Sequence, residues 1–170
     1  MVLCKKEQGI VLTKVETKCR DILHVNVCIS GKEVTLTVVY FSVSEKERNV
    51  KMRKEIEDIL ERNDETLLII GDFNGHVGFK GDQNLDINGK MILDWMERYK
   101  VIMLNDDTRC QGEYTWRKKE KKSLIDYALA SEGLYDMFEG MEIDEEQTEF
   151  DLSDHNLLKV YLKAKKKTYT

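Results

Sequence analysis

The stretch 67-LLIIGDFN-74 decides the fold class of this chain. Its first four residues are apolar without interruption, a pattern typical of a strand that is buried on both faces. Gly71 then ends the apolar run, and Asp72 and Asn74 follow it. In open α/β sheets, ligands bind in the crevice at the carboxyl ends of the strands. The stretch therefore predicts an α/β protein with a polar site that begins at Asp72.

Apolar segments before and after this stretch predict the remaining elements. Three strands are expected at 10–15, 22–29 and 34–40, and Ser30-Gly31-Lys32 has the composition of a hairpin turn between the last two. Ser44 followed by Glu47 has the spacing of a capping box, so a helix is expected from there to Asn63. The later segments predict helices at 90–99 and 132–138 and strands at 101–104, 114–116, 124–130 and 156–162.

Length and composition are those of one globular domain. The chain has 170 residues, of which 41% are hydrophobic, so we expect a single domain over residues 1–170 with a sizeable core. The Lys-rich end at 163–170 is expected to be a solvated basic tail. No apolar run approaches the roughly 20 residues that span a bilayer, and the amino terminus lacks a secretory h-region. We therefore expect an intracellular protein, nuclear or cytoplasmic, with no membrane partner.

Charge and cysteine content exclude some classes of site. The formal net charge of -5 argues against a generally basic nucleic-acid binder, although a local positive surface is enough to hold a phosphate backbone. The four cysteines include no C-x-x-C pair, so neither a zinc site nor a redox pair is indicated. Reduced thiols are expected.

Four short motifs follow one another along the chain: GDFN at 71–74, YTW at 114–116, IDY at 125–127 and SDH at 153–155. In this order they resemble the endonuclease/exonuclease/phosphatase superfamily. The segment NGKMILDWMERYKVIMLND at 88–106 is most similar to the endonuclease domain of LINE-type, RTE-like retrotransposons and to related craniofacial development protein sequences. The resemblance covers about residues 9 to 162. It implies a two-sheet α/β sandwich that lacks the first strands of the superfamily fold.

The resemblance also implies a set of catalytic roles in phosphodiester hydrolysis. Asp72 would orient or deprotonate the attacking water, and Asn74 would donate a hydrogen bond to a phosphoryl oxygen. Two residues apart on an extended segment, these side chains are expected to face the same side. His155 would contact the scissile phosphate, and Asp126 would hold its imidazole and raise its pKa.

Further residues would support this chemistry, again by resemblance. Tyr40 would donate to phosphate as part of the catalytic set, and Thr115 and Ser153 would stabilise the site from behind. Asp154 would join the shell of a magnesium ion, or of manganese, because hard divalent ions prefer oxygen ligands. DNA would be the substrate.

Each of these residues alone has a simpler explanation. Asp72 after a strand is compatible with a turn carboxylate, Asn74-Gly75 is a common turn dipeptide, and Asp126 on a strand can pair with a lysine. A lone His155 is more often a satisfied polar residue than a catalytic one. The order and spacing of all four motifs together favour the catalytic interpretation.

Members of the family carry two further motifs before the region that corresponds to residues 9 to 162: an Asn on the first strand and a metal-binding Glu on a later one. The resemblance does not include them. Neither Glu7 nor Glu16 fits that pattern. We therefore expect impaired hydrolysis. The alternative is a non-catalytic, exapted fragment that binds protein or nucleic acid, with a sheet edge covered by a partner chain or by self-association.

A cationic segment lies between the YTW and IDY motifs and is predicted to be the tip of a hairpin. In retrotransposon endonucleases the corresponding hairpin reaches into DNA, and clustered cations bind phosphates. The alternative is a solvated loop that keeps a sheet edge soluble. A third interpretation, hydrolysis of small phosphate esters, suits this cationic hairpin less well than a polymeric anion does. The predicted DNA-binding residues are Arg117, Lys118, Lys119, Lys121 and Lys122.

Overall fold

The computed structural model describes residues 10–29, 32–79, 84–148 and 153–163. These residues form eleven strands and three α-helices. In chain order the elements are β1 (Val11–Val15), β2 (Ile22–Ile29), β3 (Lys32–Tyr40), α1 (Lys46–Leu60), β4 (Leu67–Asp72), α2 (Ile87–Tyr99), β5 (Ile102–Met103), β6 (Cys110–Gln111), β7 (Trp116–Lys118), β8 (Lys121–Ser123), β9 (Asp126–Ala130), α3 (Glu132–Tyr135), β10 (Phe138–Asp144) and β11 (Leu157–Leu162). A 3₁₀ helix, Leu104–Asp106, follows β5.

The main sheet has six strands in the order β1-β2-β3-β4-β9-β5. β3 and β4 are parallel, and the other neighbours in this sheet are antiparallel. A second sheet has the order β11-β10-β6, and β7 and β8 form a separate two-stranded hairpin. This mixed α/β architecture with more than one sheet is the predicted fold class.

β4 lies between β3 and β9, as its apolar run predicts. Leu67, Leu68 and Ile69 are buried, and Ile70 is half-buried. Because successive side chains alternate between the two faces of a strand, Leu68, Ile70 and Asp72 share one face. The helices α1 and α2 add Met52, Ile56, Ile92, Trp95 and further apolar side chains to the same hydrophobic core. The core therefore surrounds the strand that ends in Asp72.

The predicted capping box at the start of the first helix is wrong. α1 begins at Lys46, and its N-cap is Glu45, which makes no capping hydrogen bond through its side chain. The hydroxyl of Ser44 instead lies 3.3 Å from that of Ser42. Asn49 closes the loop, because its Oδ1 accepts from Ser42 N and its Nδ2 donates to Ser42 O. α1 also ends at Leu60, three residues before the predicted end at Asn63.

Other boundaries differ from the sequence predictions for local reasons. α2 begins at Ile87 rather than residue 90, because Asp86 caps it by accepting a hydrogen bond from Gly89 N at 2.8 Å. The strand predicted at 101–104 gives way to the 3₁₀ helix after Met103, and α3 ends at Tyr135 rather than residue 138. The strand predicted at 114–116 begins only at Trp116.

Sequence patterning missed β10 completely. The segment FEGMEID has weak alternation, and its glycine lies at a register irregularity between Phe138 and Gly140. β10 is a strand because it pairs with β11 on one side and with β6 on the other. Long-range pairing, rather than local propensity, sets this element.

Some predicted features lie outside the described residues. These are the first two residues of the hairpin turn at 30–32 and the basic tail beyond Lys163. Within the described part of the chain, no helix is long and apolar enough to cross a membrane. Among the described residues, Cys19, Cys28 and Cys110 form no disulfide bond.

Two glycines bring the loop after β4 against the start of α2. A Cβ atom on Gly89 would lie 1.8 Å from the carbonyl oxygen of His76, and one on Gly75 would lie 2.7 Å from Asn88 Cβ. The side chain of Asn88 crosses the same contact and donates to Phe73 O at 2.8 Å and to Asn74 O at 3.1 Å. Backbone packing therefore fixes the loop that carries Asn74.

We expect Gly89→Ala to destabilise the protein by more than about 2 kcal/mol, because the added methyl group collides with backbone. Helix propensity alone predicts the opposite sign, a gain of about 1 kcal/mol. Urea denaturation decides between the two. Gly140→Ala is the matched control, since its nearest backbone atom, Arg109 O, would lie 3.4 Å from the new Cβ. A Gly89→Ala variant as stable as the control would contradict the close approach.

Candidate active site

Three polar side chains form a row across the main sheet where β4 ends. Asp72 of β4 is in register with Tyr40 of β3 on one side and with Asp126 of β9 on the other. Residues directly opposite one another in neighbouring strands project from the same face. The hydrogen bonds from Phe41 N to Asp72 O and from Phe73 N to Ile125 O continue the pairing past the strand ends. The register of three strands therefore places these side chains together.

His155 joins this row from a distant part of the chain. Its Nδ1 lies 2.9 Å from Asp126 Oδ2 and 3.1 Å from Oδ1, and its Nε2 lies 4.0 Å from Asp72 Oδ2. An isolated bridge to Trp116 holds its backbone, and Ser153 Oγ accepts from His155 N at 3.0 Å. The imidazole thus lies between two carboxylates.

Asn74 reaches Asp72 through a turn. Its φ of 44° is in the left-handed region, so the prediction of an extended segment is wrong. The turn is held by the hydrogen bond from Asn74 N to Asp72 Oδ1 at 2.8 Å. The amide Nδ2 then donates to Asp72 Oδ2 at 2.9 Å and to Phe41 O at 2.7 Å. The predicted proximity of the two side chains is present, but both amide hydrogens are occupied within the protein.

Two groups of the site, Asp72 and His155, have pKa values raised from their ordinary ones. Burial, followed by the charge of Asp126, raises the pKa of Asp72 to about 6, although the hydrogen bonds from Asn74 and the nearby His155 oppose the shift. The hydrogen bond that His155 donates to Asp126 raises the pKa of His155 above its usual value, and the charges of Asp126 and Asp72 add to this shift while burial opposes it. The site therefore concentrates negative charge and favours a bound cation or proton.

The donor set is compatible with a divalent ion. One ligand atom each from Asp72, Asp126 and His155 lies within 4.8 Å of the others. The two carboxylates suit magnesium, and an imidazole nitrogen in the same group suits manganese at least as well. Asp154, the predicted metal ligand, is not brought into this cluster. Its side chain is exposed, and its Oδ2 accepts from Trp116 Nε1 at 3.0 Å.

Two buried side chains fix the backbone around Asp126. The hydroxyl oxygen of Thr115 accepts from Ile125 N at 3.0 Å and from Asp126 N at 2.9 Å, so this predicted residue lies directly behind the carboxylate. Sequence reasoning missed Asn105, whose Nδ2 donates to Asp126 O and whose Oδ1 accepts from Ala128 N. The available signal for a structural role was that Asn105 directly follows the apolar run 101-VIML-104.

The cationic segment forms the predicted hairpin beside the site. β7 and β8 pair antiparallel, and Lys119 at the tip has a φ of 55°. Lys118, Lys119, Lys121 and Lys122 are exposed. Arg117 differs from them, because its guanidinium donates to Glu145 O at 2.9 Å and to Gln147 Oε1 at 2.6 Å. Arg117 anchors the hairpin to the segment that follows β10.

The family model Exo_endo_phos_2, described as Endonuclease-reverse transcriptase, matches residues 34–159. The chain belongs to this family. The matched range contains all four motifs and every residue of the Asp72, Asp126 and His155 cluster. A search of curated proteins found no match.

Several solved structures have a similar fold. The endonuclease domain of TRAS1, a telomere-specific non-LTR retrotransposon, has a TM-score of 0.70 at 20% identity over 89% of this chain and 68% of that domain. The 3′ phosphatase NExo from Neisseria, bound to product DNA hairpin, has a TM-score of 0.65 at 15% identity over 92% of this chain and 71% of that one. Beta toxin from Staphylococcus aureus has a TM-score of 0.53 at 20% identity, over 84% and 57%. The sequence resemblance to retrotransposon endonucleases is confirmed.

We expect Asp72→Asn to stabilise the metal-free protein by about 2 to 3 kcal/mol at pH 8, since the fold disfavours the charged carboxylate. The sign follows from a pKa raised to about 6. As pH rises from the unfolded pKa of about 4 through 6, ionisation of Asp72 lowers the free energy of unfolding of the parent protein. The gain in stability of the Asp72→Asn variant over the parent is therefore small at pH 4 and large at pH 8.

Urea denaturation in EDTA at the two pH values measures this difference. Asp58→Asn is the matched control, because it removes an exposed carboxylate of α1 outside the cluster and should change stability by less than about 0.5 kcal/mol. Equal stability of the Asp72→Asn variant and the parent at pH 8 would contradict the electrostatic strain.

Proposed function

We propose that this chain is a divalent-metal-dependent endonuclease domain that hydrolyses phosphodiester bonds in DNA. Family membership supports phosphodiester hydrolysis as the general chemistry. The observation that carries the proposal is the convergence of Asp72, Asp126 and His155, which come from three separate parts of the chain to within 4.8 Å. Buried titratable groups that shift one another's pKa are a feature of catalytic sites.

Asp72 acts on the attacking water. A carboxylate whose pKa is raised to about 6 is a stronger base than an ordinary aspartate and is still ionised at neutral pH. It takes a proton from the water as the water oxygen forms a bond to phosphorus. The bond to the leaving oxygen breaks, and that oxygen keeps the electron pair and takes up a proton from solvent. The side-chain amide of Asn74 donates a hydrogen bond to the charged phosphoryl oxygen. To do so, one amide hydrogen has to turn away from Asp72 Oδ2 or from Phe41 O.

His155 stabilises the negative charge on the phosphoryl group. Asp126 holds the imidazole through Nδ1, which leaves Nε2 on the side of Asp72. The raised pKa of His155 keeps more of the imidazole protonated at neutral pH, and a cation here lowers the barrier as charge develops. Tyr40, beside Asp72 in the sheet register and half-exposed, contributes a phenol donor to the phosphate.

Asp72 and Asp126 would hold the metal ion, magnesium or manganese, because a protonated His155 has no nitrogen lone pair to offer it. When bound, this ion supplies positive charge opposite the phosphoryl oxygens. Asp154 joins the ion only if its carboxylate leaves Trp116, so we propose a supporting role for it. With only two carboxylates of the described cluster available to the ion, we propose weak metal binding and correspondingly slow turnover.

The hairpin of β7 and β8, called here the lysine hairpin for its exposed Lys118, Lys119, Lys121 and Lys122, would hold the DNA. The protein has a net charge of -5, so non-specific attraction to a polyanion is weak, and a local cluster of four exposed lysines has to supply it. The hairpin adjoins the site, since Trp116 at its base bridges to His155. Phosphates bound by the hairpin therefore lie within reach of the catalytic row.

We expect the protein to nick supercoiled plasmid in magnesium or manganese and to lose this activity by at least about a hundredfold on substitution of Asp72 or His155 by alanine. Conversion of supercoiled to open-circular plasmid measures the rate. Asp58→Ala is the control, because it removes an exposed carboxylate from α1 without touching the cluster. Nicking that is equal in all three variants would come from a contaminant and would overturn the proposal.

Replacing both Lys119 and Lys121 by alanine should weaken DNA binding and reduce the slope of log Kd against log salt by about 2, if each lysine neutralises one phosphate. Fluorescence anisotropy of a labelled duplex at several salt concentrations measures the slope. Replacing Lys14 and Lys54, which are equally exposed but lie on β1 and α1, changes the net charge identically and should leave the slope unchanged. Equal slopes for the two double variants would show that the hairpin lysines face solvent and do not contact DNA phosphates.

A second candidate function is that of a non-catalytic binding module. In the described structure, β1 and β11 are the outer strands of their sheets, and the exposed apolar side chains Leu157 and Tyr161 lie on β11. Unpaired edges with apolar side chains favour strand addition by a partner chain or a second copy. Binding of DNA without nicking, together with a dimer in light scattering, would support this function over the enzymatic one.

A further inference from the structure

Strand β11 is the outer strand of the second sheet, and β10 is its only neighbouring strand among the described residues. Its apolar side chains Leu158, Val160 and Leu162 pack against the core but are only half-buried. The residues opposite them on β10 are buried: Ile143, Met141 and Phe138. The apolar layer of this sheet therefore ends in a strand that is incompletely covered.

The backbone of β11 presents hydrogen-bonding groups along its outer edge. Lys163, directly after β11, donates from its backbone N to Met137 O at 2.7 Å, so this N–H points to the side of β10. Because N–H groups alternate between the two edges of a strand, those of odd-numbered residues in β11 face β10 and those of even-numbered residues face outward. Asn156 fits this alternation, since its N donates to Thr115 O rather than to β10. In the described structure, the outer edge offers the N–H groups of Leu158, Val160 and Leu162.

The charges of β11 allow it to pair with a second copy of itself in one register. Two copies pair antiparallel about a two-fold axis, and the outward N–H groups require even-numbered residues to lie opposite even-numbered ones. A register centred on Val160 places Lys159 opposite Tyr161 of the second copy. A slip by two residues places Lys159 opposite Lys159 of the second copy, and the reverse slip places it opposite Lys163. Like charges directly opposite destabilise a strand pair, so the two lysines select the register centred on Val160.

This register matches side chains on both faces of the sheet. On the core face, Val160 would meet Val160 of the second copy, and Leu158 would meet Leu162. On the outer face, Lys159 Nζ already lies 3.1 Å from Glu142 Oε1. It would then lie between this carboxylate and the phenol ring of Tyr161 of the second copy, an arrangement that is favourable for a cation. Every side chain directly opposite another is therefore apolar or compatible in charge.

We infer that β11 is a homodimer interface, in which two copies of this chain pair their β11 strands antiparallel about a two-fold axis at Val160. Each copy contributes its three strands to one continuous sheet, in the order β6-β10-β11-β11-β10-β6. The inference deepens the binding-module candidate above by naming its edge, its partner and its register. It does not depend on catalysis, because the row of Tyr40, Asp72, Asp126 and His155 has no member on β11.

The other outer strand, β1, is less suited to pairing. Its exposed residues include Thr13 and Lys14, and Lys14 has no ion pair with the described residues. Charged side chains on an edge strand protect it from pairing with another chain. In β11, by contrast, Glu142 of the neighbouring strand neutralises Lys159. Self-association is therefore expected at β11 and not at β1.

Sedimentation velocity in EDTA, over a range of protein concentrations, tests the interface. We expect the parent protein to form a dimer as concentration rises. Tyr161→Lys would place a like charge opposite Lys159 twice in each dimer and should raise the dimer Kd by at least about tenfold. Tyr161→Glu would place an opposite charge there and should retain the dimer. Tyr161 is 47% exposed, so neither change disturbs the core.

Val11→Lys is the matched control, because it changes the net charge as Tyr161→Lys does, at a residue of β1 that is 60% exposed. It should leave the dimer unchanged. A parent protein that stays monomeric, a Tyr161→Lys variant that dimerises like the parent, or loss of the dimer in Val11→Lys would each overturn the interface.

Amide hydrogen exchange of the parent protein, followed by NMR, tests the register without any substitution. Exchange at Leu158, Val160 and Leu162 should slow at least about tenfold between dilute and concentrated samples. Exchange at Lys159 and Tyr161, whose N–H groups face β10, should not depend on concentration. Equal dependence at both sets of amides would assign the dimer to another surface and overturn the inference.

Plasmid nicking by the same samples separates this inference from the proposed enzyme. A monomer that nicks plasmid would overturn the interface and support the enzyme. A dimer with these properties that does not nick would support the interface and overturn the enzyme.

Discussion

The site depends on two carboxylates held side by side against their mutual repulsion. Asp72 and Asp126 are paired across adjacent antiparallel strands, and neither is free to move away. His155, hydrogen-bonded to Asp126 and 4.0 Å from Asp72, offsets part of the repulsion when it is protonated. Burial, together with the strain that remains, raises the pKa of Asp72. Such strain persists only where the surrounding structure fixes the geometry, and it prepares the site for a cation or a proton.

The surrounding structure fixes that geometry through backbone contacts. Thr115 and Asn105 hold the backbone of Asp126 from two directions, and the contact between Gly89 and His76 holds the loop that carries Asn74. A slip of β9 by one residue would turn Asp126 to the opposite face of the sheet. The hydrophobic core around β4 and β9 prevents this slip, because the slip would expose apolar side chains of β9 that are now packed in the core. The packing of the core thus also fixes the geometry of the candidate site.

Sequence reasoning predicted well where a pattern is local and strong. The continuous apolar run of β4, the lysine hairpin and the convergence of Asp72, Asn74, Asp126 and His155 on one place agree with the structure. It failed where tertiary contacts outweigh local preference. The side chain of Asn49 forms the hydrogen bonds to the backbone before α1, where Ser44 was expected to cap the helix. The segment 138–144 is a strand because it pairs with another strand on each side. Arg117 was grouped with the lysines because spacing alone does not reveal its bonds to Glu145 and Gln147.

The sequence by itself determined the fold class, the strand that carries the site and the identity of its acidic, amide and imidazole groups, because hydrophobic periodicity and motif order are properties of the chain. Only the tertiary structure decided that Asp154 stays with Trp116 outside the cluster, that Asn74 reaches Asp72 through a left-handed turn, and that Val50 faces an open recess. These outcomes depend on strand register and on contacts between distant residues, which no local pattern encodes.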